Sequence, residues 1–235
     1  MRYYLGLAVA IVAISFSAIF IRLADAPALT IATGRMIVTV LMLLPPLLLF
    51  ERRSLAKLDA HDFALSLLSG LFLALHFALW TVSLDYTSVA SSVVVVSTHP
   101  IFVALIAYFY LGERLTAGGL AGIILTLGGS VLIGFKDLGV GQESLKGDLL
   151  ALGGAIAIVG YLLIGRVVRQ RQGLLVYSTL VYTACAVALT AIALAVGTPL
   201  LAFSDRDLLV FLALAVHPLS PKDFLEGSQE SWGHP

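Results

Sequence analysis

The chain has 235 residues, 60% of them hydrophobic and 12% charged, with 14 basic and 14 acidic side chains that cancel. A soluble domain is roughly 45–50% apolar and about 25% charged, and a single core cannot enclose so much extra apolar surface. An ordinary soluble fold is therefore excluded, and the zero net charge leaves no electrostatic footprint for nucleic acid.

In lipid the apolar side chains face outward, so the composition predicts an all-α polytopic membrane helix bundle. A bilayer core of about 30 Å needs about 20 apolar residues of helix. Seven runs meet that length, at 3–21, 28–50, 63–84, 87–111, 116–135, 148–165 and 174–197, and an eighth, Leu208 to Val216, is too short to span. The first run follows Arg2 and precedes Ala24-Asp25-Ala26, which looks like a small-x-small cleavage site. It exceeds the roughly 7–15 residues of a signal-peptide core, and Pro27 would follow the cut, so it is read as an uncleaved span. Arg22 closes this span, with Asp25 as a nearby partner.

Arg35 lies about two turns into the second span. Its stem either snorkels to the interface or places the guanidinium for binding or gating. The third span carries Ser69, His76, Trp80 and Ser83 at helical spacing. The fourth carries Ser88, Ser92 and His99 on one face, with Thr98 beside them. An antiparallel hairpin folded at Tyr86 brings His76 and His99 to similar depth near mid-membrane. Pro100 removes a backbone donor and crowds the carbonyl of Val96, and distorted helices near the midplane often line cavities. His76, Trp80, Ser92, Thr98 and His99 are therefore candidate cavity residues. The competing reading is that the histidines bond across helices and only fix packing.

The fifth span repeats small residues every four positions, at Gly118, Gly122, Thr126, Ser130 and Gly134. Such a stripe lets helices approach closely, either within one bundle or across a homodimer. The sixth echoes the first weakly: a shift of 144 superposes Ala13, Ile14 and Arg22 on Ala157, Ile158 and Arg166. Five spans precede the second unit, so it starts from the opposite face of the membrane, the arrangement of inverted-repeat transporters. Cys185 in the seventh span is the single cysteine and can form no intrachain disulfide.

One set of loops collects Arg2, Arg52, Arg53, Lys57, Arg114, Arg166, Arg169 and Arg171, whereas the other holds Arg22, Lys136, Lys146 and Arg206. The richer side is cytoplasmic, which places the N-terminus there in a multi-pass protein of the cell (inner) membrane. No motif for nucleotide, zinc or serine-nucleophile chemistry is present, so no enzyme activity, metal or cofactor is expected. No acid sits deep in any span, and a buried carboxylate for proton coupling is not supported.

The segment from Pro100 to Gly134, PIFVALIAYFYLGERLTAGGLAGIILTLGGSVLIG, resembles the signature of EamA-type transporters of the drug/metabolite transporter superfamily. The resemblance rests on Pro100, the Gly112-Glu113-Arg114-Leu115-Thr116 turn, Gly122, Gly128 and Gly129, and on the preceding ALWTVSLDYTSVASSVVVVSTHP. Arg22 and Arg35 match basic positions of the family's first two helices, and residues 147–171 resemble the opening of a second copy. It implies two inverted five-helix repeats around a central cavity, cytoplasmic termini, and export or exchange of small metabolites by alternating access. It also implies gating or structural roles for Arg22, Arg35, Glu113 and Arg114. On that basis residues 1–137 form the first repeat, 147–216 a partial second repeat, and 217–235 a polar tail expected to be disordered. With the second repeat incomplete, the chain is expected not to transport by itself. The alternative is a non-transporting membrane fragment or membrane interaction partner.

Overall fold

The computed structural model describes residues 21, 24–112, 117–137 and 142–216. The body of the first expected span, Arg22, Glu113, Arg114 and the 217–235 tail lie outside the described residues. The helices are α1 (Ala28–Pro46), a π-helical turn (Leu47–Glu51), α2 (Arg52–Ala56), α3 (Ala60–Ser83), α4 (Val89–Val96), α5 (His99–Leu111), α6 (Ala117–Asp137), α7 (Gln142–Val168), α8 (Leu174–Val196) and α9 (Asp205–Val216). Among the described residues there is no strand, and five helical stretches are long and apolar enough to cross a membrane: Ala28–Ala56, Ala60–Ser83, Val89–Phe109, Glu143–Val168 and Leu174–Val196. The molecule is an all-α membrane bundle.

Helix distortions follow from the sequence. Pro45 and Pro46 withhold two donors inside α1, and the helix widens into its π turn immediately afterwards. The fourth span is not one helix. It breaks at Ser97-Thr98, just before Pro100, into α4 and α5. Gly112 and Gly197 close α5 and α8 in the left-handed region, at φ 66° and 77°.

Packing departs from the expected hairpin. α3 makes its largest contact with α7 and its next with α8, and touches α4 only slightly; α7 also packs on α4 and α5. The sixth expected span therefore lies between the third and fourth. The reason is the small face of α7. Ala151 and Ala155 are fully buried, and a methyl at Gly154 would sit 3.4 Å from both the His76 carbonyl oxygen and the Trp80 nitrogen. At Gly70, where α3 meets α8, a methyl would come within 2.5 Å of the Val181 carbonyl oxygen. Close approach of this kind is how helices associate in lipid, where apolar burial gives no net drive.

α6 behaves differently. It packs on α4, with a smaller contact to α7. A methyl at Gly118, Gly122, Gly128 or Gly129 would meet nothing within 4 Å. The tight seams of the described bundle run along α3, α7 and α8.

Polar links mark the two ends of the bundle. At one end Arg171 Nη1 donates to Asp62 at 3.4 Å. At the other, Asp148 Oδ1 accepts from Thr87 Oγ1 at 2.9 Å and Ser91 Oγ at 2.8 Å, and Thr30 Oγ1 donates to the Pro199 carbonyl at 3.2 Å. There also Ser204 and Asp207 cap α9 reciprocally: Ser204 N donates to Asp207 Oδ2 at 2.8 Å and Asp207 N to Ser204 Oγ at 3.2 Å. The other Asp207 oxygen accepts from Asp25 N at 3.0 Å, which fastens the start of α1 to the start of α9.

Candidate functional site

The spacing of polar residues on α3 builds a ladder. Asp62, Ser69, His76 and Ser83 recur every seven residues, a repeat that keeps one face toward its partner helices. The ladder reads along α7 in antiparallel order. Asp62 meets Arg171 just beyond the end of α7, Ser69 Oγ donates to the Tyr161 carbonyl at 3.4 Å, and His76 Nδ1 donates to the Gly154 carbonyl at 2.9 Å. Ser83 instead pairs with Ser92 of α4, oxygen to oxygen at 2.6 Å. Because a carbonyl only accepts, His76 carries its proton on Nδ1 and, when neutral, presents Nε2 as an acceptor.

Next to His76, Phe77 faces α1, and one turn on from His76 the Cβ of Trp80 lies against Gly154 of α7. The guanidinium carbon of Arg35 lies 4.2 Å from the centre of the Phe77 ring. The His76 and Trp80 rings stack with centroids 6.0 Å apart, and those of Phe77 and Trp80 are 6.4 Å apart and tilted. Arg35 sits about 10 Å along α1 from its start, and Phe77 about 9 Å along α3 from its end, by helical rise. The two meet at one depth, roughly a third of the way across the membrane core.

This cluster is closed. Arg35 is 8% exposed, Trp80 7% and His76 4%. Arg35 therefore does not reach the membrane interface. Its Nε, the indole Nε1 of Trp80 and the hydroxyl of Thr33 on α1 are buried without a hydrogen-bond partner. Such groups are costly in a protein interior and more so in lipid. The ionisable neighbours interacting with Arg35 are Tyr182 and Cys185 of α8 and His76. Among the described residues no carboxylate pairs with it. A hydroxyl seam continues below the cluster. Tyr182 bonds to Tyr161, and Ser69 to the Tyr177 hydroxyl at 2.6 Å.

The structure divides the cavity residues expected from sequence. His76 and Trp80 belong to the Arg35 cluster. Ser92 is buried against Ser83 nearer the α3–α4 turn. Thr98 Oγ1 donates to the Val95 carbonyl at 2.7 Å, and His99 Nδ1 to the Val96 carbonyl at 3.1 Å. Pro100 cannot donate to Val96, and the His99 ring takes its place, so these residues seal the helix break. On α6, Thr126 Oγ1 returns to the Gly122 carbonyl at 2.8 Å; Gly134 lies in the same helix, and the side chain of Ser130 is outside the described residues.

Sequence reasoning missed Phe77, Tyr161, Tyr177, Tyr182 and Asp148. The seven-residue recurrence on α3 was a usable signal for the seam, and Ser204-x-x-Asp207 before an apolar run was one for the α9 cap. No described group of His, Cys, Asp and Glu is arranged to hold a metal ion.

Residues 1–135 match the EamA-like transporter family. No curated protein and no solved structure matches the chain.

Proposed function

The chain belongs to the EamA-like transporter family, and from that premise we propose that it moves a small metabolite across the membrane through the core bounded by α1, α3, α7 and α8. The observation that supports this reading is the group of unpartnered, buried polar atoms at Arg35, Trp80 and Thr33. Polar groups held within a membrane bundle commonly mark a substrate path. In this reading His76 and Trp80 contact substrate, Ser92, Thr98 and His99 border the path across α7, and access alternates between the two faces. Residues 1–137 and 147–216 would supply the opposing repeats. A cytoplasmic N-terminus completes this reading, supported by the arginine-rich loops on that side. Labelling of a Lys57→Cys variant from outside intact cells would reverse that orientation.

The test is flux. Proteoliposomes of the purified chain are loaded with a defined mixture of amino acids, organic acids, amines and nucleosides, and release is followed by mass spectrometry. Because all four helices that bound the core are present, this reading departs from the inactivity expected of an incomplete second repeat: release of at least one compound above protein-free vesicles is expected, reduced at least tenfold in a Trp80→Ala, His76→Ala variant. No release of any compound, or release indifferent to the double substitution, would refute the proposal.

A further inference from the structure

Two of the three polar atoms left unmet around Arg35 are chemically one-sided, the Thr33 hydroxyl being able to donate or accept. Arg35 Nε and Trp80 Nε1 can only donate. Both side chains neighbour the Phe77 ring, whose centre lies 4.2 Å from the guanidinium carbon and 6.4 Å from the Trp80 ring centre. The Nδ1 proton of His76 is already given to Gly154. The site therefore has a fixed positive charge, two donors and an aromatic floor, while no carboxylate of the described residues answers the charge.

A charge removed from water is tolerable only when paired and hydrogen-bonded. The ring quadrupole of Phe77 answers part of the Arg35 charge but accepts nothing from Nε. An incoming oxyanion would satisfy both demands. Arg presents its Nε edge as a planar fork that fits a carboxylate through two parallel bonds. A single guanidinium also sets the charge of the guest. A monoanion leaves the buried site neutral, whereas a phosphate dianion would leave it net negative in low dielectric. The neighbouring Phe77 and Trp80 rings suit an apolar body attached to that headgroup.

We propose that the core site binds a monocarboxylate with an apolar body, its carboxylate held between the Arg35 guanidinium and the Trp80 indole N–H over the Phe77 ring. This rests on the substrate-path reading above and specifies its guest.

The chain has two tryptophans, Trp80 and Trp232, so a Trp232→Phe background isolates the fluorescence of Trp80. The full chain in phosphatidylcholine nanodiscs is titrated with acetate, butyrate and 3-phenylpropionate, each beside its primary amide and its amine, and with inorganic phosphate. 3-Phenylpropionate should quench Trp80 at a concentration at least tenfold lower than its amide or amine. Arg35→Gln should bring acid and amide within twofold, and Arg35→Lys, which keeps the charge but not the fork, should fall between. Equal binding of acid, amide and amine would overturn the assignment, as would tighter binding of phosphate, or no binding of any probe by the folded chain. If Arg35→Gln does not fold, the acid-to-amide ratio of the parent protein decides alone. Acid-selective binding with no flux would remove the transport reading and keep the site. Flux of a neutral or cationic metabolite that is unaltered in Arg35→Lys would do the reverse.

Discussion

Alanine at Gly70 probes whether α3 and α8 form the tight seam of the bundle. The new methyl would lie 2.5 Å from the Val181 carbonyl oxygen and 2.6 Å from the Ala184 Cβ. Ordinary carbon contacts are about 3.5–4.0 Å, so the helices must part locally by about 1 Å. The closest obstacle is backbone, which cannot rotate aside. Overpacking of this kind costs about 1–3 kcal/mol, at the upper end here, and removing a helical glycine returns about 0.5–1 kcal/mol. A net loss of about 2 kcal/mol lowers the melting temperature of a chain this size by ~4–8 °C. The control is Gly122→Ala on α6, where a methyl meets nothing within 4 Å and the glycine effect alone should hold stability or raise it slightly. Thermal unfolding of both variants in detergent, followed by circular dichroism and by size exclusion, decides. A larger loss at Gly122 than at Gly70 would refute the reasoning and place the tight contact on α6, against a second copy.

Asp148→Ala removes the acceptor of both Thr87 and Ser91 and should cost about 1–3 kcal/mol, with faster amide exchange confined to the α3–α4 turn; unchanged exchange there would show that the carboxylate is dispensable. Asp207 responds to pH. The Ser204 N–H first, then the Ser204 hydroxyl and the N–H groups of Asp25 and Ala26, hold its carboxyl below the usual range, although its own desolvation acts the other way. A depressed carboxyl stabilises the fold above its unfolded value of about 3.9 and loses that contribution as pH falls through the folded value. Protection factors, exchange relative to the unstructured chain at the same pH, at residues 24–26 and 204–207 should therefore stay constant from neutral pH down to about 4 and fall only below it, and a fall between pH 5 and 7 would contradict the cap geometry.

Helix existence was readable from apolar run length, because the bilayer imposes it. The span starting at Ala28 was placed from the sequence to its first residue. What run length cannot carry is the choice of neighbour. Gly118, Gly122 and Thr126 make the more regular stripe, yet Gly154, Ala151 and Ala155 make the closer contact. Every spanning helix here is apolar on most sides, so which small face is used depends on the arrangement of the whole bundle. Arg35 illustrates the same limit. Its position in a span was plain, but snorkelling and burial differ only in whether Phe77 stands beside it, and Phe77 is unremarkable in a sequence this rich in phenylalanine.

The polar contacts also say where the bundle can give. α3 and α7 are joined by Asp62–Arg171, Ser69–Tyr161 and His76–Gly154, and Asp148 of α7 clasps Thr87 of the α3–α4 turn and Ser91 of α4. Sliding or parting them breaks several hydrogen bonds at once, each left without water to replace it. Between α1 and α3 the described residues show a smaller packing contact, and its notable polar feature is the face-on approach of Arg35 to Phe77. That interaction is tolerant of small displacements, because a ring face offers no single acceptor direction. Movement that opens the core therefore costs least along the α1–α3 seam, with α3 and α7 carried as one body. The unmet donor of Arg35 lies at that seam beside Phe77, so the place that opens most easily is also the place where a guest would be held.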